Sequence, residues 1–179
     1  MLRNLAVSTI LSIGCAGWAQ QAPDFLPGTM GRAVTEESDW KEMDAPSPPA
    51  LRKDGLVAIE VSGGTEMRWG IDPQSVSVGA DRIVRYVVVA STRAATNASY
   101  EGINCDAGAY RVYARSSGQG WHAVETEWKT LSGGGEAQHA RAIAKAGACQ
   151  GHAPNGSAEQ IVRDLGMPQG TKFGGSNAP

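Results

Sequence analysis

Hydrophobic and polar positions divide the chain into a patternless polar lead-in, a stretch of short apolar runs with period two, and a tail with helical period. Residues 51–131 carry the Val-rich alternation of strands. Val57, Ile59 and Val61 alternate with Ala58 and Glu60, and a second run over residues 67–71 follows the turn signal Gly63-Gly64, so the two predict a hairpin. Residues 83–91 are apolar on both parities, with Val84, Tyr86 and Val88 on one face and Ile83, Val87 and Val89 on the other. That pattern predicts a central strand buried on both sides. Residues 100–105 and 110–115 form another pair about Gly108, the second alternating Tyr110, Val112 and Ala114 against Arg111, Tyr113 and Arg115. Gly102 marks a bulge or a close backbone approach, and a local kink without function is the favoured reading. Residues 121–128, after Gly118-Gln119-Gly120, are expected to be the last strand.

Past Ser132 the period changes. Three glycines break the sheet, and residues 136–148 predict a small-residue helix with Ala140, Ile143, Ala144 and Gly147 on one narrow face. Ser157 and Gln160 match a capping box, Gly166 fits a C-terminal stop and Pro168 follows, which predicts a short helix over 158–165. Residues beyond Thr171 are expected to fray. Upstream, residues 20–50 hold no sustained period and end in Pro46, Pro48 and Pro49, the pattern of a flexible or extended lead-in. Trp40, between Asp39 and Lys41, is expected to pin that arm to the domain surface. The fold class is therefore α+β: a small antiparallel β-sheet domain over 51–152 with a C-terminal helix tied on by a disulfide, and a short helix and frayed tail over 153–179.

The ends and the cysteines place the chain. Arg3, an apolar run over residues 5–16 and the small residues Gly17 and Ala19 outline a secretory signal peptide over 1–19, cleaved after Ala19. The run is too short to span a bilayer, so no transmembrane helix is expected in the mature chain. A rival reading makes Cys15 a lipid attachment site; Ser12, where Leu, Val or Ile is usual, weighs against it. Removing the leader leaves Cys105 and Cys149, which are expected to pair in an oxidising compartment, the periplasm.

Composition narrows the classes. Leu, Ile, Val and Phe make up about 17% of the 179 residues, a low share beside 23 Gly. A net charge of only −2 and five Trp nevertheless favour a modest folded core over disorder and exclude a strongly basic nucleic-acid binder. No phosphate-binding loop, dinucleotide fingerprint or nucleophile elbow occurs, so no cofactor is expected. Cys149 and His152 have ligand-like spacing without a second pair nearby, which disfavours a metal site. His122, His139 and His152 are assigned surface or structural roles. Glu125 and Glu127 share a strand face with Trp121 and are the candidate pair for a small hydrolase, although neighbouring acids on a strand more commonly mark a solvated surface. Glu101, in a half-buried strand, needs a partner, and a structural ion pair with Arg85 is favoured over a ligand site. Asn97-Ala98-Ser99 and Asn155-Gly156-Ser157 match the glycosylation acceptor pattern. Arg82, Arg85, Arg93, Arg111 and Arg115 form a loose basic cluster suited to an anionic polymer, or an ordinary solvated face.

The run Ile83-Val84-Arg85-Tyr86-Val87-Val88-Val89, then Asn97-Ala98-Ser99-Tyr100-Glu101-Gly102-Ile103-Asn104-Cys105, and then Trp121 resembles the cryptic neisserial protein one-like family, and Trp40 resembles its early Trp. The resemblance covers residues 39–128 and departs at Asn104, where the family often carries Arg. It implies an exported protein of the bacterial envelope without an assigned activity, and brings no catalytic residues. Trp40, Arg85, Tyr86, Tyr100, Glu101, Gly102 and Trp121 are the candidate binding residues. The leading expectation is a non-enzymatic periplasmic domain that binds an envelope protein or cell-wall polymer through its sheet face or its Trp40 arm. The alternatives are the carboxylate-pair hydrolase and a lipid-anchored envelope assembly accessory.

Overall fold

The computed structural model describes residues 40–62 and 66–168, so the expected leader, Cys15 and residues 20–39 of the lead-in lie outside the described residues. The strands are β1 (Val57–Ile59), β2 (Arg68–Ile71), β3 (Ser77–Val78), β4 (Ile83–Ser91), β5 (Thr96–Asn104), β6 (Ala109–Ser116), β7 (His122–Ala123), β8 (Lys129–Thr130), β9 (Cys149–Gln150) and β10 (Ala153–Pro154). The helices are α1 (Gln138–Ile143) and α2 (Ala158–Leu165). An antiparallel sheet runs β1-β2-β4-β5-β6-β7, while β3 continues along the edge of β4 that β2 occupies and β8 along the edge of β6 that β7 occupies. The expected hairpin forms with Val57 opposite Ile71, and the expected central strand is β4. Between β2 and β3 the edge of β4 is completed by a 3-10 turn, Pro73–Ser75, whose Ser75 hydroxyl accepts the Val87 N–H at 2.7 Å.

Register decides which side chains share a face. Tyr86 lies opposite Glu101, Val88 opposite Ser99 and Ala90 opposite Asn97, so these six project to one side. Arg85 lies opposite Gly102, Val87 opposite Tyr100 and Val89 opposite Ala98, and these project to the other. On the first side α1, α2 and their connection pack Ala140, Ile143, Ile161 and Leu165 into one apolar cluster with Ile71, Val84 and Ile103. On the second side the extended segment 40–56 lies on the sheet, with Leu51 and Leu56 packed against Val87, Val89 and Tyr100. Residues 40–50 are thus the extended form of the expected lead-in, held down rather than flexible.

A β-bulge modifies β6. Tyr100 pairs with Ala114 but Glu101 pairs with Val112, leaving Tyr113 as the extra residue. The strict alternation expected for residues 110–115 is therefore wrong: Tyr110 and Val112 face the helices, Ala114 faces the arm, and Arg115 returns to the helix side opposite Ser99. Gly102 is part of the same feature. A Cβ there would lie 2.5 Å from Tyr113 Oη and 2.8 Å from Ile83 Cγ2, so the Tyr113 ring occupies the space that a side chain would need.

Two other expectations need correction. Residues 121–128 are not one strand, because between β7 and β8 the Thr126 side chain replaces the ladder: its hydroxyl accepts from Val112 N at 3.2 Å and donates to Val112 O at 2.8 Å. The helix expected over 136–148 is split into a 3-10 turn, α1 and a π-type turn, Ala144–Ala148, whose helical backbone breaks at Gly147 with φ 141°. Only Gly tolerates that angle, and a Cβ would lie 2.8 Å from Asp164 Cβ of α2. The helix over 158–165 forms as expected, with the Ser157 hydroxyl accepting the Gln160 N–H at 3.3 Å. The Cys105–Cys149 disulfide is present, Cα–Cα 5.7 Å, and ties the end of β5 to the residue after the π-type turn.

Cys149→Ser is expected to cost about 2–4 kcal/mol, since the bridge closes a long loop. That corresponds to roughly 10 °C in a thermal melt, and an unchanged melt would show that the bridge is idle. Gly102→Ala is expected to destabilise by about 1–3 kcal/mol through overpacking against Tyr113. A compensating gain in the Gly102→Ala, Tyr113→Leu double variant, read by urea denaturation, would identify the Tyr113 ring as the cause.

Candidate functional site

Glu101 sits in the middle of the helix-side face and is 2% exposed. Burying a carboxylate without donors is costly, and two are supplied. The Tyr86 hydroxyl, on the neighbouring strand, donates to Oε2 at 3.2 Å. Burial, and then the Glu101 carboxylate, push that hydroxyl well above the usual phenol range, so it stays protonated and stays a donor. From above, α1 delivers His139, whose Nε2 lies 3.0 Å from Oε1 and 2.9 Å from Oε2. The imidazole is fixed by its neighbours: it stacks on Trp69 with ring centroids 4.6 Å apart and planes 2° apart, and meets Tyr110 edge-on at 5.7 Å. Nδ1, the other ring nitrogen, makes no hydrogen bond among the described residues.

Beside this cluster the helices leave part of the sheet uncovered. A pocket of about 370 Å³ opens there, with Met67, Trp69, Val88 and Val112 as apolar wall, Glu101 and His139 at one end, and Asn97, Ser99 and Arg115 along the strands. Its size and mixed lining are those of a small-molecule site. Among the described residues no group of His, Cys, Asp and Glu is arranged to hold a metal ion.

A second polar cluster fixes the arm on the opposite face. Asp81 accepts from Arg85 Nη1 at 3.0 Å and Nη2 at 2.6 Å, and from the backbone N–H groups of Ile83 and Met43 at 3.2 and 3.1 Å. Its carbonyl accepts Trp40 Nε1 at 2.9 Å. Glu42, on the arm, accepts from Arg111 at 2.8 Å, from the Tyr113 hydroxyl at 2.7 Å and from Trp128 Nε1 at 3.1 Å. Burial, and then the Glu42 bond, raise the Tyr113 hydroxyl above its usual range and keep it a donor. The Trp121 indole N–H donates to Pro49 O at 2.8 Å.

The candidate residues thus divide between two faces. Glu101 lines the pocket and Tyr86, buried behind it on the same face, holds it; Trp40, Arg85, Tyr100, Gly102 and Trp121 serve the arm side. The expected Glu101–Arg85 pair does not form, because register places Tyr86, not Arg85, opposite Glu101, and Arg85 pairs with Asp81 instead. His139, assigned a surface or structural role from sequence, is the partner. Trp121 does not stack beside Glu125 and Glu127; both acids are exposed and neither lines the pocket. The loose arginine cluster is dispersed, with Arg85 and Arg111 paired on the arm side and Arg115 in the pocket. Cys149 is committed to the disulfide, which removes the Cys149–His152 ligand reading. Asn155 bonds Gly147 O at 3.0 Å and Asp164 at 2.6 Å, a clasp between the π-type turn and α2.

A family model described as the CNP1-like family matches residues 35–166, reaching past the stretch that carries the sequence resemblance. No curated protein and no solved structure matches the chain. No helix among the described residues is long and apolar enough to cross a membrane.

Burial alone would raise the Asp81 carboxyl, but the Arg85 fork and the two backbone N–H groups outweigh it and hold the group below its usual value of 3.8. A folded-state value below the unfolded one means stability that is full above about pH 4 and lost as pH falls through the folded value. Asp81→Asn is expected to cost about 3 kcal/mol at pH 7, where it removes the carboxylate that the Arg85 fork grips and leaves only Glu42, 3.9 Å away, to balance the guanidinium. Urea denaturation as a function of pH should show the gap between the native chain and this variant narrowing below about pH 4. A gap that is the same at every pH would refute the assignment.

Proposed function

We propose that this chain, which belongs to the CNP1-like family, is an exported domain of the bacterial envelope that binds an envelope component in the Glu101–His139 pocket without turning it over. The observation that carries the reading is the partly covered sheet face: apolar walls interrupted by a fixed Tyr86–Glu101–His139 unit. Export is supported by the leader pattern at the start of the sequence and by the disulfide, a bond that persists in oxidising compartments. Binding rather than catalysis is supported by the bonding of His139, which among the described residues engages Glu101 and no hydroxyl or thiol that it could activate. The arm face is already filled by this chain's own residues 40–56, which favours the pocket over the Trp40 arm as the place of contact.

A second reading has one observation behind it. A buried carboxylate bonded to one imidazole nitrogen is the arrangement that orients a general base, so a hydrolase built on His139 is favoured over one built on Glu125 and Glu127.

The test is mass spectrometry of the chain purified from its native envelope. The intact mass is expected to begin at Gln20 and to rise by two hydrogens on reduction; a retained leader would refute export by cleavage. Small molecules released on denaturation are expected to be at least about ten-fold scarcer from Ala90→Trp, which fills the pocket while leaving the melt unchanged. Equal recovery from both proteins would remove the pocket as the binding site. Turnover of the released molecule, abolished by His139→Gln, would establish the second reading in its place.

A further inference from the structure

We infer that the pocket selects an anion: its ligand is a small monocarboxylate with an apolar body, seated with the carboxylate on Arg115, Ser99 and Asn97. The inference deepens the binding reading above and rests on it. Three donors at one end of the pocket are unspent. Arg115 lies directly opposite Ser99 across the β5–β6 pair, and Asn97 lies two residues from Ser99 on the same face. Among the described residues, none of these three side chains makes a hydrogen bond, and Arg115 makes no ion pair. Arg115 owes its place to the Tyr113 bulge, which returns residue 115 to the pocket side of the sheet.

The acids of the pocket are, by contrast, already committed. Glu101 holds His139 and Tyr86, and Glu136 holds Lys129 at 2.5 Å, so the field of Arg115 at longer range does not occupy it. A cationic ligand would meet the Arg115 guanidinium, and the carboxylates that line the pocket already hold a donor each. An anionic one gains a charge-assisted fork from Arg115, a hydroxyl from Ser99 and an amide N–H from Asn97. One cation balances one negative charge, which fits a carboxylate better than a phosphate dianion. Met67, Trp69, Val88 and Val112 then take the apolar body, Met67 as the adaptable wall. The volume of about 370 Å³ is near the lower end for ligand pockets and sets a small body.

Calorimetric titration of the mature, disulfide-bonded chain with octanoate, 3-phenylpropionate, octanamide and octylamine tests this. At least one of the carboxylates is expected to bind, and octanoate or 3-phenylpropionate to exceed the neutral amide by about ten-fold or more at low salt, with the advantage shrinking as salt is added. Arg115→Gln is expected to remove the advantage while leaving binding of the amide and the thermal melt unchanged. Arg115 is exposed, so this variant is expected to fold; Ser99→Ala, with a loss of about three- to ten-fold for the carboxylate alone, is the second variant. Amide or amine binding as tightly as the carboxylates would overturn the anion assignment and leave the pocket reading standing. Binding of none of the four probes to the folded chain would overturn the assignment and count against the pocket itself.

Discussion

Strand β4 has no face that can be left in water. Its residues from Ile83 to Val89 are all buried, alternate ones projecting to opposite sides, so the sheet has to be covered twice by a short chain. At about 1.5–3 kcal/mol for each large apolar side chain removed from water, neither cover is optional. The helix layer supplies one cover, and the segment 40–56, without helix or strand before Val57, supplies the other. Because that segment brings few apolar side chains, it is fixed mainly by polar contacts, and this explains why Asp81, Arg85 and Glu42 form a cluster under it.

Adjacent residues of β4 therefore do opposite jobs. Arg85 reaches to the arm and fixes it through Asp81; Tyr86, one residue on, reaches to the pocket and supports Glu101. Each buried carboxylate has its own donors, and the two clusters are separated by the thickness of the sheet. Charge is satisfied locally on each face, while the Tyr113 bulge is the feature the two faces share.

Much of the architecture was legible from residue pattern alone. The double-sided run 83–91, the first hairpin and the capped α2 follow from short-range rules, the disulfide from counting cysteines, and the structure contains them. What was not legible depends on pairing between strands. Whether Arg85 or Tyr86 faces Glu101 is settled by register, and a shift of one residue would exchange them. The Tyr113 bulge has no signature of its own on β6; its trace in the sequence is Gly102, on the other strand, where a close approach was one of two readings. His139 was hidden because it precedes Ala140 and Ile143 in a helix that looked merely small-sided. Trp69 and Tyr110, which hold it, come from strands far away in sequence. A lone His beside a weak apolar stripe, in a domain with a buried Glu in need of a partner, is the signal that was available.

The pocket itself follows from how the helices are held. Gly147 lets α2 approach within van der Waals distance of the π-type turn, Asn155 clasps that turn to Asp164, and the Cys105–Cys149 bridge draws the whole unit to the end of β5. The bridge acts beside Ile103 and its partner Val84, at one end of the central strands. α1 has only six residues, about 9 Å of helix, and cannot extend from there over Ala90 and Asn97 at the other end. His139 is near its N-terminal limit, and with Glu136 and Gln138 just before it borders the opening. A longer or more loosely tied helix would bury Trp69 and close the cleft; the same ties that compensate for a thin apolar face leave the site open.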